Sequence, residues 1–362
     1  MEFKAVLRRL WKIFLLLALI YIFMLSIKMI GGSFKLMGKG FAESIIKTTS
    51  NPFTGLFIGI LATSVVQSSS LTTSLVVSLV AANVLTIPLA IPIVMGANIG
   101  TTITNTIVSV GHIRSSEEFE RAFAASIVHD FFNLLNVLLL FPLQYFFNIL
   151  GFLAGGAAEI FKNVGGLKIF NPLSLILSPV AHFVVHFFKG IPWVGIIFSL
   201  LLLFFSLRYI VKFMRSVVIR KIEVYFNKYL FKTTVRALLL GLLFTSIVQS
   251  SSITTSLAVP LAGAGILSLE KIFPYTLGSN IGTTVTALLA ALATGEISAI
   301  TVAFCHLIFN LIGTVVFLPL RKIPISMAKM FSRISVRNKL VPILYILVVF
   351  FAIPFILIIF VE

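Results

Sequence analysis

Apolar stretches of membrane-spanning length follow one another along the chain, and short polar phrases cut into some of them. Residues 10–30 are almost wholly apolar and predict a first spanning helix. Residues 33–50 mix Lys35, Lys39, Glu43 and Lys47 with apolar positions, the pattern of an amphipathic helix at the membrane interface. Residues 52–80 have the length of a span, but Gln67-Ser68-Ser69-Ser70 interrupts them midway. Two short apolar arms around a polar tip predict a re-entrant hairpin or broken helix, which hydrocarbon tolerates only where the backbone is buried in protein or faces a cavity. In residues 92–104, Gly96 and Gly100 flank Asn98 and precede Thr101 and Thr102, which predicts an unwound point within a span. Residues 109–120 read as a polar loop, 123–142 as a span carrying His129, Asp130 and Asn133, and 151–171 as a Gly-rich connection. Residues 172–188 are apolar but broken by Ser178-Pro179, and are expected at the interface.

The same order then returns. Thr63-Ser64-Val65-Val66-Gln67-Ser68-Ser69-Ser70 is answered, 182 residues on, by Thr245-Ser246-Ile247-Val248-Gln249-Ser250-Ser251-Ser252. Residues 192–212 repeat the first span, and 274–286 repeat residues 92–104, with Gly-Ser-Asn-Ile-Gly-Thr-Thr around Asn280 and Thr283. His306 and Asn310 answer His129 and Asn133. The chain therefore divides into two transmembrane repeats, 1–190 and 191–362, with 340–361 as a final span.

Composition sets the class. The chain is 59% hydrophobic and 11% charged, with mean hydropathy +1.12, the balance of an all-α integral membrane protein. Its net charge of +17 lies between the apolar spans and not in one patch, so it reports orientation in a lipid bilayer and not nucleic-acid binding. The lone Cys305 excludes a disulfide framework or a cysteine metal site. Residues 208–236 hold eight basic residues against Glu223, and 321–339 hold six without an acid. Both are predicted cytoplasmic, as is the N-terminus, which puts the C-terminus outside. The repeats then enter the membrane from opposite sides. Such inverted repeats, with a site at the midplane, are typical of secondary transporters.

Hydroxyls and amides both donate and accept hydrogen bonds. Two such blocks, without Lys or Arg, suit a small anion met by helix N-termini and by co-bound cations. Their hard oxygens suit Na+ and not a soft metal. Residue chemistry thus points to coupled transport of a small anion with a cation. A channel built on the same polar ring is a second reading. A hydrolase fits poorly: His129 and Asp130 are adjacent and point to different helix faces, and no nucleophile-elbow pattern surrounds the serines. No enzymatic activity and no organic cofactor are expected.

The paired Gln-Ser-Ser-Ser phrases, the two Gly-[Ala/Ser]-Asn-Ile-Gly-Thr-Thr segments and Arg121-Ala122-Phe123-Ala124 leading to Val128-His129-Asp130-Phe131-Phe132-Asn133 resemble the type II sodium-dependent phosphate cotransporter family. The resemblance implies sodium-coupled symport of inorganic phosphate into the cell across the inner membrane, by alternating access, with Na+ as coupling ion. Phosphate instead of another oxyanion such as sulfate rests on it alone. Carried over, Gln67, Ser68, Ser69, Ser70, Gln249, Ser250, Ser251 and Ser252, with Asn98 and Asn280, form the phosphate site. Gln67, Thr63, Ser64, Thr101, Gln249, Thr245, Ser246 and Thr283 serve sodium. A homodimer is compatible with this reading. Against the family's pattern, the long insertion between repeats, a further C-terminal span and a PhoU-like domain are expected to be absent from this sequence, which ends at Glu362. Electrogenic members carry an Asp after the loop-opening glycine; here His112 follows Gly111, so near-electroneutral transport is expected.

Overall fold

The computed structural model describes residues 2–225 and 233–360. The described residues fold as helices: α1 (Glu2–Leu36), α2 (Lys39–Thr48), α3 (Pro52–Val66), α4 (Ser69–Ala81), α5 (Ile87–Gly100), α6 (Ile103–Val110), α7 (Ser116–Phe147), α8 (Ile149–Asn163) and α9 (Gly166–Phe187). The second half adds α10 (Pro192–Tyr225), α11 (Thr234–Val248), α12 (Ser251–Ser256), α13 (Ala258–Gly263), α14 (Leu269–Thr294), α15 (Ile297–Phe317) and α16 (Lys322–Arg337). The last span joins α17 (Leu340–Leu347) and α18 (Ile353–Phe360) through a π-helical turn, Val348–Ala352. Helix is the form hydrocarbon demands, because it satisfies every backbone group within the segment. Among the described residues, seven helices are long and apolar enough to cross a membrane: α1, α5 with α6, α7, α10, α14, α15 and α17 with α18.

The interfacial helix expected at 33–50 is divided. Its first residues extend α1, and Gly38, at φ 82°, turns the chain into α2. The stretch Gly40–Lys47 then lies 95° from α3. Phe41 stacks on Phe34 at 5.7 Å, so the apolar face of α2 is held against the bundle. The connection expected at 151–171 is mostly helical: Leu150, Ala154 and Ala158 of α8 are buried, and Leu150 accepts a contact from Cys305 Sγ at 3.6 Å. The basic stretch 321–339 is largely α16, which buries Ile325 and Ala328 and leaves Arg333 outward. The apolar part of α9, Leu175–Phe187, is shorter than a span and meets α1 where Lys28 Nζ donates to Ser178 Oγ at 2.7 Å.

Both expected hairpins are present. α3 and α4 are joined by two residues, and so are α11 and α12. Thr63 Oγ1 donates to Thr72 Oγ1 at 2.9 Å, and Thr245 Oγ1 meets Thr254 Oγ1 at 2.7 Å. Residues nine apart on a straight helix would stand about 13 Å apart along its axis, so the chain turns back at each tip. In the second hairpin Pro260 lacks an N–H and crowds the carbonyl one turn earlier, which breaks the returning arm between α12 and α13. The first hairpin has Ser78 at that point, and α4 runs unbroken.

Of the unwound segments expected at Gly96–Thr102 and Gly278–Thr284, the first is present as a short break between α5 and α6 and the second is not found. α14 is continuous through its copy, and the first copy shows only a slip at Thr101 and Thr102, both still in right-handed helical geometry. The glycines serve close packing instead. Any Cβ on Gly59 would strike the Ile93 carbonyl, and one on Gly96 the Leu56 carbonyl. In the second half Gly241 meets the Tyr275 carbonyl and Gly278 that of Leu238 in the same way. Gly96-x-x-x-Gly100 and Gly278-x-x-x-Gly282 are thus small-residue crossings that bring each hairpin's outer arm onto the adjacent span. The threonines stay within the helix: Thr102 Oγ1 donates to the Ile99 carbonyl at 2.8 Å and Thr284 Oγ1 to that of Ile281 at 2.7 Å.

The opposite orientation of the two repeats rests on the basic stretch 208–236. Its residues 226–232 lie outside the described residues, as do the side chains of 215–225. On a Cys305-free background, a cysteine at Ser50 is expected to react with an impermeant maleimide from outside the cell, and one at Thr233 only after permeabilisation. Reaction of both from one side contradicts inversion.

Candidate functional site

Each hairpin tip is made by a Gln with left-handed backbone followed by a Ser with extended backbone. Gln67 and Gln249 lie in the left-handed region, at φ 55° and 59°. That conformation costs a non-glycine residue about 1–3 kcal/mol and tends to persist at functional sites. The N–H of each Gln closes its helix onto the Thr63 or Thr245 carbonyl at 2.7 Å. Ser68 and Ser250 follow in extended geometry and cap the returning arms, accepting from Leu71 N–H at 3.2 Å and Ile253 N–H at 3.4 Å. Ser69, Ser70, Ser251 and Ser252 are buried, Ser68, Ser250 and Gln249 half-buried, and Gln67 exposed.

The tips come together, although 179 residues of chain separate the contacting groups. Ser70 Oγ donates to the Gln249 carbonyl and approaches Thr286 Oγ1, each at 3.4 Å. Thr286 Oγ1 donates to Gln249 Oε1 at 2.7 Å, and Gln249 Nε2 donates to the Ser246 carbonyl. Gln249 is therefore pinned within its own half, unlike Gln67. On the first side Thr101 Oγ1 donates to Ser69 Oγ at 2.9 Å. On the second, Thr245, Thr254 and Ser279 form a triangle of hydroxyls with edges of 2.7, 2.6 and 2.8 Å. Ser64 donates to the Ile60 carbonyl at 2.7 Å and Thr283 to that of Ser279 at 3.1 Å. These hydroxyls keep acceptor lone pairs, the hard oxygens an alkali cation takes. The buried hydroxyls of Ser246 and Thr104 have no hydrogen-bond partner among the described residues.

Asn98 and Asn280, expected to complete the anion site, are engaged elsewhere. Asn280 Oδ1 meets His129 Nε2 at 2.6 Å, and its Nδ2 donates to Asn133 Oδ1 at 2.7 Å. Asn98 Oδ1 meets His306 Nε2 and Asn310 Nδ2, each at 3.3 Å, while Asn133 Nδ2 donates to the Asn98 carbonyl at 2.8 Å. The two His–Asn pairs thus clamp each half's glycine-crossed span to the next helix of the other half. They satisfy amides that hydrocarbon would otherwise penalise.

Three contributors escaped the sequence reading. Ser279 stands where the first repeat has Ala97, and Thr286 lies one turn beyond Thr283 on the same face, so helical spacing points to it. Asn105 has no counterpart in the second repeat, where Ala287 stands. Its Oδ1 accepts from Thr255 Oγ1 at 3.0 Å and Ser256 Oγ at 2.9 Å, tying α6 to the second hairpin. Nor does His112 stand without a carboxylate: Glu118 Oε2 lies 3.5 Å from its Nδ1. Arg121 is held by the Gly263 carbonyl at 2.9 Å.

Residues 22–158 and 202–336 match the Na+/Pi-cotransporter family. Sodium-dependent phosphate transport protein 2A of Rattus norvegicus is 33% identical, over 96% of this chain and 67% of the relative. Sodium-dependent phosphate transport protein 2B of Homo sapiens is 33% identical, over 95% of this chain and 64% of the relative. The chain thus spans about two thirds of the length of these curated relatives. No solved structure matches it. Both matched segments contain one Gln-Ser-Ser-Ser tip and one glycine-crossed span, and the chain belongs to the Na+/Pi-cotransporter family.

Proposed function

We propose that the chain carries inorganic phosphate together with Na+ by alternating access at the two facing tips, with uptake into the cell. The observation that carries this is the meeting of Ser70 with the Gln249 carbonyl, which sets both polar tips around one point. Phosphate offers oxygens to the serine hydroxyls, the Gln amides and the N–H groups at the start of α4. Its charge is met by Na+, because neither tip carries Lys or Arg. Gln67, Thr63, Ser64 and Thr101 on one side, and Gln249, Thr245, Ser246 and Thr283 on the other, offer oxygen ligands. The unequal exposure of Gln67 and Gln249 supports a cycle in which the tips are uncovered in turn. Two tips that differ in exposure favour a transporter over an open pore.

³²P-phosphate uptake into proteoliposomes is the test. An inward Na+ gradient is expected to drive accumulation that arsenate competes for and sulfate does not. Equal uptake in potassium and sodium buffers overturns the proposal.

A further inference from the structure

We propose that Asp130 holds one of the coupling cations, a Na+, at the junction of α6, α7 and α17, apart from the serine tips. This rests on the sodium-coupled reading and names a site for one ion. Asp130 lies midway along the α7 span and is 3% exposed. Its Oδ2 accepts from Thr106 Oγ1 at 3.3 Å and from Tyr345 Oη at 3.0 Å. Its Oδ1 is buried and has no hydrogen-bond partner among the described residues. An ionised carboxylate at that depth needs a counter-charge. The described ion pairs supply none: Arg121 pairs with Glu117, Lys329 with Glu270 and Arg333 with Glu120. His129, next in the chain, turns its Nε2 to Asn280 and its Nδ1 to Asn105.

The surroundings are hard oxygens. Thr102 and Thr106 sit one turn apart, and Thr106 Oγ1 reaches the Thr102 carbonyl at 3.5 Å. Thr102 Oγ1 donates to the Ile99 carbonyl at 2.8 Å and also stands within hydrogen-bond reach of the Asp130 carboxylate, which puts a further hydroxyl oxygen beside it. One carboxylate among neutral oxygens fits a monovalent ion, where Ca2+ sites gather several carboxylates. The repeat also sets this site apart. The position matching Asp130 in the second half is Leu307, so the carboxylate is not a relic of duplication.

The place connects to both tips. Thr101, beside Thr102, donates to Ser69 of the first tip. Asn105, beside Thr106, accepts from Thr255 and Ser256 of the second hairpin. A cation drawn between Asp130 and α6 therefore acts on the span of α5 and α6, which touches the first tip at Thr101 and the second hairpin at Asn105, and this couples its binding to theirs.

Two measurements test this: equilibrium ²²Na+ binding to purified protein in detergent without phosphate, and the ²²Na+ to ³²P ratio of uptake in proteoliposomes. Asp130→Asn is expected to bind one Na+ fewer per chain and to lower the ratio by one; Asp130→Glu restores part of the binding. Tyr345→Phe and Thr106→Val are expected to raise the Na+ concentration for half-saturation several-fold, and they decide the matter should Asp130→Asn not remain monodisperse. An unchanged Na+ count in Asp130→Asn, unchanged half-saturation in the two milder variants, or an unchanged count with uptake that follows a proton gradient overturns the site. If wild type shows no Na+-dependent uptake, the transport reading fails, while loss of a bound Na+ in Asp130→Asn still supports the cation site.

Discussion

Ser250→Ala is expected to lower phosphate uptake about ten- to a hundredfold, the equivalent of losing one hydrogen bond to a charged ligand at about 1.5–3 kcal/mol. Ser68→Ala is expected to do the same from the opposite tip. Each serine also caps a returning arm, and loss of a cap alone costs about 1 kcal/mol. The two roles are separated by Ser68→Asp and Ser250→Asp. Aspartate caps a helix as well as serine does, yet it sets a negative charge against the anion. Uptake by the Asp variants is expected to fall further than by the Ala variants, while surface expression and thermal midpoint stay near wild type. Uptake that survives in the Asp variants would remove the tips from the phosphate path. Initial ³²P uptake at several phosphate concentrations, on protein quantified at the surface, reads both effects.

Gly278→Val is expected to abolish uptake by a different route, through loss of the folded bundle. A Cβ at Gly278 runs into the Leu238 carbonyl, and one at Gly241 into that of Tyr275. The obstacle is backbone, so no side chain can turn aside and α11 must leave α14. Overpacking a close-packed site costs about 1–3 kcal/mol for modest insertions and more where the helix must move. The second tip rides on α11, so its contact with Ser70 goes with it. Gly278→Ala is expected to lower the detergent melting midpoint and Gly278→Val to leave little monodisperse protein. Gly155→Ala is the control: nothing among the described residues lies within 4 Å of a Cβ there, and alanine is the better helix former by about 1 kcal/mol. A Gly278→Ala protein that melts with wild type would show that α11 and α14 are not in backbone contact.

Much of this protein is legible in its sequence, because the membrane leaves a chain few choices. Apolar runs of span length must be helical where water cannot reach the backbone. A Gln-Ser-Ser-Ser phrase inside such a run must turn back or face a cavity, so both hairpins follow from residues 63–73 and 245–255 and their identical spacing. The amphipathic α2 and the polar tips are local patterns of the same kind. What the local pattern left open was decided by neighbours distant in the chain. The glycines beside Asn98 and Asn280 read in the sequence as a freed backbone; the Leu56 and Leu238 carbonyls, seated against Gly96 and Gly278, make them a close crossing instead. Asn98 and Asn280 carry the chemistry of a ligand site, but His306 and His129, 208 and 151 residues away, occupy their amides. Glu118 beside His112, and Asp130 without a basic partner among the described ion pairs, likewise depend on which helices pack together. A buried polar group must find a partner or a ligand, and only the tertiary structure distributes those partners.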